Sequence, residues 1–349
     1  MKTSEFDYDL PPDLIAQTPI EPRDAARMLV LCRDTGEVRH DRFADFPTYL
    51  HPGDVLVLNR TRVLPARLWA RKIPAGGRVE LLLLSRTTDS TWEALVRGRR
   101  VPVGTELEVT GPSESEPGPR ACVTGVSPSG GRLIRFEEPP ETWLERYGRV
   151  PLPPYIHRHL EDPERYQTVY SDTPGSVAAP TAGLHFTPAM LDRLRATGVH
   201  VEYVTLHVGL DTFRPVTEEQ VEDHTIHSEW CEVTPEVSAR LTRAKEEGRR
   251  IVAVGTTVVR TLETSAAQAA AAGADDVLVP FAGRTSLFIL PGFRFRAVDV
   301  LLTNFHLPRS PLLLLVSAFA GRERILAAYR EAVCLRYRFF SFGDCMLIM

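Results

Sequence analysis

The sequence predicts an α/β protein with a parallel or mixed sheet and, as an insertion or companion domain, a β-rich segment that forms a small barrel or sandwich, and three observations predict it. A chain of 349 residues is longer than one ordinary core supports and suits two domains. From about residue 63 to 137, short apolar runs alternate with glycine and proline turns, the pattern of a small barrel or sandwich. Beyond Trp143, strand-like and helix-like segments alternate, which implies a parallel or mixed sheet with helices packed on it. The expected division is 1–62 and 149–349 for the α/β domain, with 63–148 as the β-barrel-like insertion.

Each element has its own signal. Residues 1–62 carry two short apolar strands, Met28–Leu31 and Val55–Leu58, among proline- and aspartate-rich turns. The β-rich segment offers Ala66–Ala70, Val79–Leu84, Trp92–Val96, Leu107–Val109, Ala121–Val126 and Leu133–Phe136. Between Leu107–Val109 and Ala121–Val126, the stretch 111–119 (GPSESEPGP) reads as a mobile loop by composition. Thr187-Pro188 is an N-cap with proline at the first helical position, opening a helix to Ala196. Val199–Val208 follows as a strand. Thr234-Pro235 repeats the device, with a helix running to Glu247 and ending at Gly248. Ile251–Val254 is a strand leading into a helix from Thr257 to about Ala272. Strands at 287–290 and 298–302, then helices at 312–320 and 322–333, complete the chain.

Composition excludes several classes. Hydrophobic content of 43% with 25% charged residues is that of a globular protein. The polar N-terminus, MKTSEFDYDL, reads as no signal or transit peptide, and no apolar run approaches a membrane span. Five scattered cysteines without C-x-x-C pairing argue against a disulfide framework or a structural zinc site, and point to the cytoplasm. Net charge of −4 gives no global attraction to nucleic acid. Residues 60–100, however, hold ten Arg/Lys against three Asp/Glu, the local footprint of a nucleic-acid partner or a solvated basic face. Lys2, Lys72 and Lys245 are the lysines and the other 38 basic residues are arginine, so a single arginine says little.

Several loops carry chemistry-bearing side chains. Pro180–Thr187 delivers His185 at a helix entrance; histidine there suits acid–base work or a capping role. Val254-Gly255-Thr256-Thr257 joins a strand to a helix start, where free N–H groups bind a carboxylate or phosphate, or where a threonine simply caps the helix. Arg260 follows within a turn. His224, His227 and Glu229 fall within seven residues, a pattern open to a metal site, to acid–base use or to a structural role. Asn304 and His306 follow a strand, where α/β sheets place active-site residues, and Asp344 ends a turn near the C-terminus; a turn with a hydrogen-bonded Asn or Asp is the commoner explanation of each.

Taken in order, these segments resemble the S-adenosylmethionine:tRNA ribosyltransferase-isomerase family of queuosine biosynthesis. The resemblance runs from Phe6-Asp7-Tyr8-Asp9-Leu10-Pro11 to the C-terminus. It includes LNRTRVLPARL (58–68), VPLPPYI (150–156), ERYQTVYS (164–171), AAPTAGLHFT (178–187) and VTLHVGLDTFRPV (204–216). HTIHSE (224–229), VGTTVVRTLE (254–263), LLTNFHLPRSPLLLLVSAFAG (301–321) and YRFFSFGDCMLI (337–348) extend it. The chain departs from the family pattern at Arg60 (usually Asp), Leu210-Asp211 (Ala-Gly), Thr264 (Ser) and Pro311 (Thr), and is loosely similar over 283–288.

The resemblance implies transfer and isomerisation of the ribosyl moiety of S-adenosylmethionine onto 7-aminomethyl-7-deazaguanine at the wobble position of tRNA. Epoxyqueuosine-tRNA, adenine and methionine would be the products. It also implies an α/β domain interrupted by a β-barrel, no cofactor beyond S-adenosylmethionine as co-substrate, and no metal, flavin or nicotinamide; we expect a monomer. The candidates for proton transfer are Glu229, His185, His207, His306 and Asp344. Those for substrate binding are Thr256, Thr257, Arg260 and Asn304, with Arg97, Arg99 and Arg100 expected on tRNA phosphates. The rival readings are a metal-dependent hydrolase using His224, His227 and Glu229, and a non-catalytic RNA-binding protein.

Overall fold

Burial on both faces selects the central strands of the larger sheet. Val55–Asn59 is buried at every position, as a parallel strand covered by helices on both sides must be. The computed structural model describes residues 1–111, 117–127, 130–209 and 215–349. Residues 112–116 of the expected 111–119 loop, and Leu210 and Asp211, lie outside the described residues. One unit comprises Met1–Arg62, Pro153–Thr173 and Ala179–Met349; the other comprises Val63–Leu152 and Pro174–Ala178.

In chain order, the α/β unit begins with β1 (Arg27–Leu31), β2 (Val38–Arg42) and β3 (Val55–Asn59). The second unit supplies β4 (Arg67–Ile73), β5 (Arg78–Arg86), β6 (Thr91–Arg97), β7 (Glu106–Thr110), β8 (Pro117–Val126) and β9 (Arg132–Phe136). The α/β unit resumes with α1 (Pro188–Ala196), β10 (His200–Leu206), β11 (Glu229–Val233), α2 (Pro235–Glu246) and β12 (Ile251–Val254). It closes with α3 (Thr256–Ala272), β13 (Phe281–Thr285), β14 (Val300–Asn304), α4 (Pro311–Ala320), α5 (Arg322–Cys334) and β15 (Cys345–Ile348).

Among the described residues, nine strands form one mixed sheet in the order β13-β11-β10-β3-β12-β14-β15-β1-β2. The run β10-β3-β12-β14 is parallel throughout. Alternate side chains feed two apolar clusters, Val55, Val57, Ile251 and Ala253 on one face and Leu56, Leu58, Val252 and Val254 on the other. Among the described residues, six strands of the second unit close into a barrel, β9-β6-β5-β4-β7-β8, around Leu68, Ala70, Leu81, Leu83, Ala94 and Val109.

Three helices begin in the same way. Thr187, Thr234 and Ser310 each accept a hydrogen bond from a backbone N–H three residues on, with proline at the first helical position. The Pro311 departure is thus compatible with a well-formed α4. Helix α3 differs: it starts after Gly255 with no side-chain cap.

The expected strand at 287–290 is not one. The ladder partner of β11 is Phe281–Thr285 instead. Leu287 gives its carbonyl to the Arg260 guanidinium, and Ile289 is buried in the core without pairing.

Candidate active site

The four parallel strands end on one edge of the sheet. Asn59 and Thr61 follow from β3, His207 to Gly209 from β10, Gly255 to Thr257 from β12, and Asn304 to His306 from β14. This is the edge at which open α/β sheets bind ligands. A cleft opens there, lined by Val208, Gly255, Thr256, Thr257, Asn304 and His306, with Tyr155, Thr181 and Ser341 completing its polar wall.

Asn59 holds this edge together. Its Oδ1 accepts from the backbone N–H groups of Thr61 and Leu206, both at 3.1 Å. Its Nδ2 donates to the Leu206 carbonyl at 3.0 Å and to Thr257 Oγ1 at 3.3 Å. One side chain therefore ties the ends of β3 and β10 to the first turn of α3. Arg60, beside it, reaches outward to Thr205 Oγ1 at 3.5 Å and Asp172 at 3.8 Å.

The first turn of α3 faces the cleft through Thr256 and Thr257. Gly255 has φ 88° and ψ 153°, a conformation that side-chain-bearing residues avoid. Uncapped N–H groups and the positive helix end suit a carboxylate.

Three imidazoles surround the edge, all neutral at pH 7 because burial penalises the cation. His306 lines the cleft, its Nε2 2.9 Å from Thr303 Oγ1, with its pKa pushed down to about 3. His185 packs against Phe43 behind Asn304, its Nε2 3.4 Å from the Asn304 amide, and is held at about 4. His207 stacks on Trp230 with ring centroids 5.2 Å apart and sets Nδ1 2.8 Å from Thr61 Oγ1; burial lowers it to about 4. Asn304 Oδ1 in turn accepts from Thr181 Oγ1 at 3.0 Å. Tyr155 pairs with Ser341 Oγ at 2.7 Å, and burial pushes its phenol up to about 12, so it stays protonated.

Glu229 and Arg260 sit deeper. They form a buried ion pair, 5% and 2% exposed, and Glu229 Oε1 also accepts from Gly209 N at 2.7 Å. Glu229 and His185, expected in polar, loop-like surroundings, are both buried, and Glu229 opens β11; Arg260 lies on α3, as the helix reading of that segment expects. Asp344 is similarly engaged. Its carboxylate accepts from Arg27 N at 2.9 Å and Arg338 N at 2.8 Å, while burial raises its pKa. His224 pairs with Glu218 at 2.9 Å and not with Glu229. Among the described residues no group of three His, Cys, Asp or Glu side chains is placed to hold a metal ion.

This geometry is that of a small-molecule site on an α/β sheet, and the relatives of the chain agree on one activity. The family described as "Queuosine biosynthesis protein" matches residues 3–348. The chain belongs to that family. It is 56% identical over the full length of both chains to the S-adenosylmethionine:tRNA ribosyltransferase-isomerase of Moorella thermoacetica, and 51% identical, again over both full lengths, to that of Thermotoga maritima. The crystal structure of S-adenosylmethionine tRNA ribosyltransferase from Thermotoga maritima, 41% identical, covers 99% of this chain and 100% of its own with a TM-score of 0.55.

Of the residues expected from sequence, the queuosine-family cleft is lined by Thr256, Thr257, Asn304 and His306. His185 meets the lining Asn304 and His207 meets Thr61. Glu229 with its partner Arg260 holds Gly209 next to the lining Val208, and Asp344 holds the backbone N–H groups of Arg27 and Arg338, outside the lining. Arg97, Arg99 and Arg100 belong to the barrel unit and are exposed. Asn59, Tyr155 and Ser341 are not among the site residues expected from sequence, although all three fall inside the motifs LNRTRVLPARL, VPLPPYI and YRFFSFGDCMLI.

Proposed function

We propose that this chain transfers the ribosyl unit of S-adenosylmethionine to 7-aminomethyl-7-deazaguanine in tRNA and isomerises it to epoxyqueuosine, releasing adenine and methionine. The observation that carries the reading is full-length identity above 50% to ribosyltransferase-isomerases, together with a cleft at the strand ends whose polar groups suit the co-substrate. The N-terminus of α3, with Thr256 and Thr257, takes the methionine carboxylate. Asn304 and Ser341 orient the nucleoside.

Transfer requires a base at the carbon acidified by the sulfonium, a proton for departing adenine, and a neutral amine on the tRNA. Of the candidates for proton transfer, His306 is the imidazole that lines the cleft, and its position there supports the role of proton acceptor. Tyr155, protonated and paired with Ser341, is the donor facing the same space. Glu229 acts indirectly, with Arg260, by fixing Gly209 beside the cleft-lining Val208, and Asp344 by fixing Arg27 and Arg338. Arg97, Arg99 and Arg100 contact tRNA phosphates.

The proposal extends to a monomer acting in the cytoplasm without metal, flavin or nicotinamide. Free cysteines among the described residues fit that compartment, and no described helix is long and apolar enough to cross a membrane. The deciding experiment mixes purified protein, S-adenosylmethionine and tRNA bearing the aminomethyl base after exhaustive chelation. Release of adenine with a mass gain on the tRNA is expected. Adenine release that is absent, or that returns only with a divalent ion, overturns the function or its metal independence respectively.

A further inference from the structure

The barrel unit carries one exposed indole. Trp92 and Trp143 are buried in its core, whereas Trp69, on the outer face of β4, is 37% exposed. The alternation of that strand explains why: Leu68 and Ala70 point inward, so Arg67, Trp69 and Arg71 point out. Across the antiparallel ladder Trp69 stands opposite Glu80, and Glu80 opposite Arg97, so the three side chains form one row on the same surface.

Arginines frame the ring. Arg149 pairs its backbone with Arg67, at 3.0 and 2.9 Å, and this fixed bridge sets its guanidinium 5.2 Å from the indole centroid. The nearby carboxylates are already committed: Glu80 pairs with Arg67 at 3.2 Å and Glu108 with Arg71 at 2.6 Å. Among the described residues, Arg97 and Arg149 have no carboxylate partner. An exposed aromatic face beside cations that lack counter-charges is the combination that holds unpaired nucleotides, base on ring and phosphate on guanidinium. A protein partner would more often ask for a larger apolar patch around the tryptophan, and the neighbours here are charged.

We propose that Trp69 is a stacking platform for an unpaired base of the RNA substrate, with Arg149 and Arg97 holding the adjoining phosphates. The proposal rests on the reading of the chain as a tRNA-modifying enzyme and adds a site in the barrel unit that the chemistry at the sheet edge does not use.

Trp92 and Trp143 are buried but Trp230, stacked on His207, is half-buried, so acrylamide quenching is read in a Trp230→Phe background, where it reports largely on Trp69. Adding an anticodon stem–loop RNA to the full-length Trp230→Phe protein should shield Trp69; adding a blunt duplex of the same stem should not. Trp69→Leu should weaken tRNA binding roughly 5- to 100-fold, the range expected for loss of one stacked base. Trp69→Phe, which keeps an aromatic face, should restore most of the affinity, and KM for S-adenosylmethionine should be unchanged in both. Equal shielding by loop and duplex, or wild-type tRNA affinity in a folded Trp69→Leu protein, overturns the stacking site. Wild-type protein that releases no adenine with tRNA would instead overturn the functional reading, so the two failures are distinguishable. Should Trp69→Leu not fold, the shielding experiment in the Trp230→Phe protein decides alone, and an acrylamide profile unaltered by the stem–loop counts against the site.

Discussion

Asn59 has no solvent exposure and all of its hydrogen-bonding capacity points at backbone or at Thr257. Replacing it by alanine leaves two buried N–H groups and one carbonyl without partners, at about 1–3 kcal/mol for each unsatisfied group. We predict that Asn59→Ala lowers the thermal midpoint and raises KM for S-adenosylmethionine more than it lowers kcat. A variant with wild-type KM would separate Asn59 from the site. Sequence alone could not single it out, because an asparagine closing an apolar strand looks like any turn residue until β10 and α3 are seen to meet it. His306, by contrast, was visible as a histidine after a strand, but its burial was not. Its pKa is depressed from 6.5 to about 3, and those of His185 and His207 to about 4. A depressed base takes up its proton more readily when unfolded, so the stability it contributes is complete above about pH 6.5. It is lost as pH falls toward the folded value. Denaturant melts of wild type and His306→Gln should therefore converge as pH is lowered from 6.5 to 3; parallel curves would mean that His306 titrates normally in the fold.

Helix α3 is the element on which the cleft depends most, since its first turn supplies Thr256 and Thr257 while Arg260 one turn on holds Glu229. Gly255 makes that approach possible. At φ 88° and ψ 153° an added Cβ would meet Thr257 Oγ1 and Ala182 at ordinary distances of 3.6 and 3.7 Å, so the obstacle is conformational and not steric crowding. Gly255→Ala should cost about 1–3 kcal/mol of stability and weaken S-adenosylmethionine binding while leaving tRNA affinity near wild type. Calorimetric titration with each ligand would check this; equal loss for both ligands would point to general unfolding. Elements of this kind were legible where local chemistry is strong. The Thr-Pro and Ser-Pro starts of α1, α2 and α4 read directly, and all six barrel strands overlap the expected apolar runs. Strands β2, β11, β13 and β15 are absent from the strands that the sequence predicts. β13 reads FAGRT and is defined by its pairing with β11, not by an apolar pattern of its own. The nearby Leu287–Leu290 run has the apolar residues but is buried by side-chain packing, which periodicity cannot distinguish from a ladder.

At the scale of the whole molecule, charge is divided unevenly along the chain: net −4 overall, yet ten Arg/Lys against three Asp/Glu between residues 60 and 100. Arg97, Arg99 and Arg100 close β6 and its following turn, all exposed. Lys72 Nζ donates to the carbonyls of Arg99 and Arg100, the latter at 2.8 Å, so the backbone is held while the guanidinium groups remain free to meet a ligand. Converting all three to glutamate changes only outward side chains and should leave the barrel folded, because its core is formed by residues such as Leu81, Leu83 and Ala94. The cleft that we assign to S-adenosylmethionine is lined entirely by residues of the other unit. The triple variant should therefore bind S-adenosylmethionine with wild-type affinity and tRNA weakly. Each lost phosphate contact should also flatten the log–log salt dependence of tRNA binding by roughly 0.7–0.9. Measuring tRNA affinity across a salt series checks both the magnitude and the cause: a weaker complex with an unchanged slope would mean that the arginines act on shape, not on phosphate. An unchanged affinity would move the phosphate contacts away from this turn, leaving Arg149 and the other cations around Trp69 as the basic surface to test next.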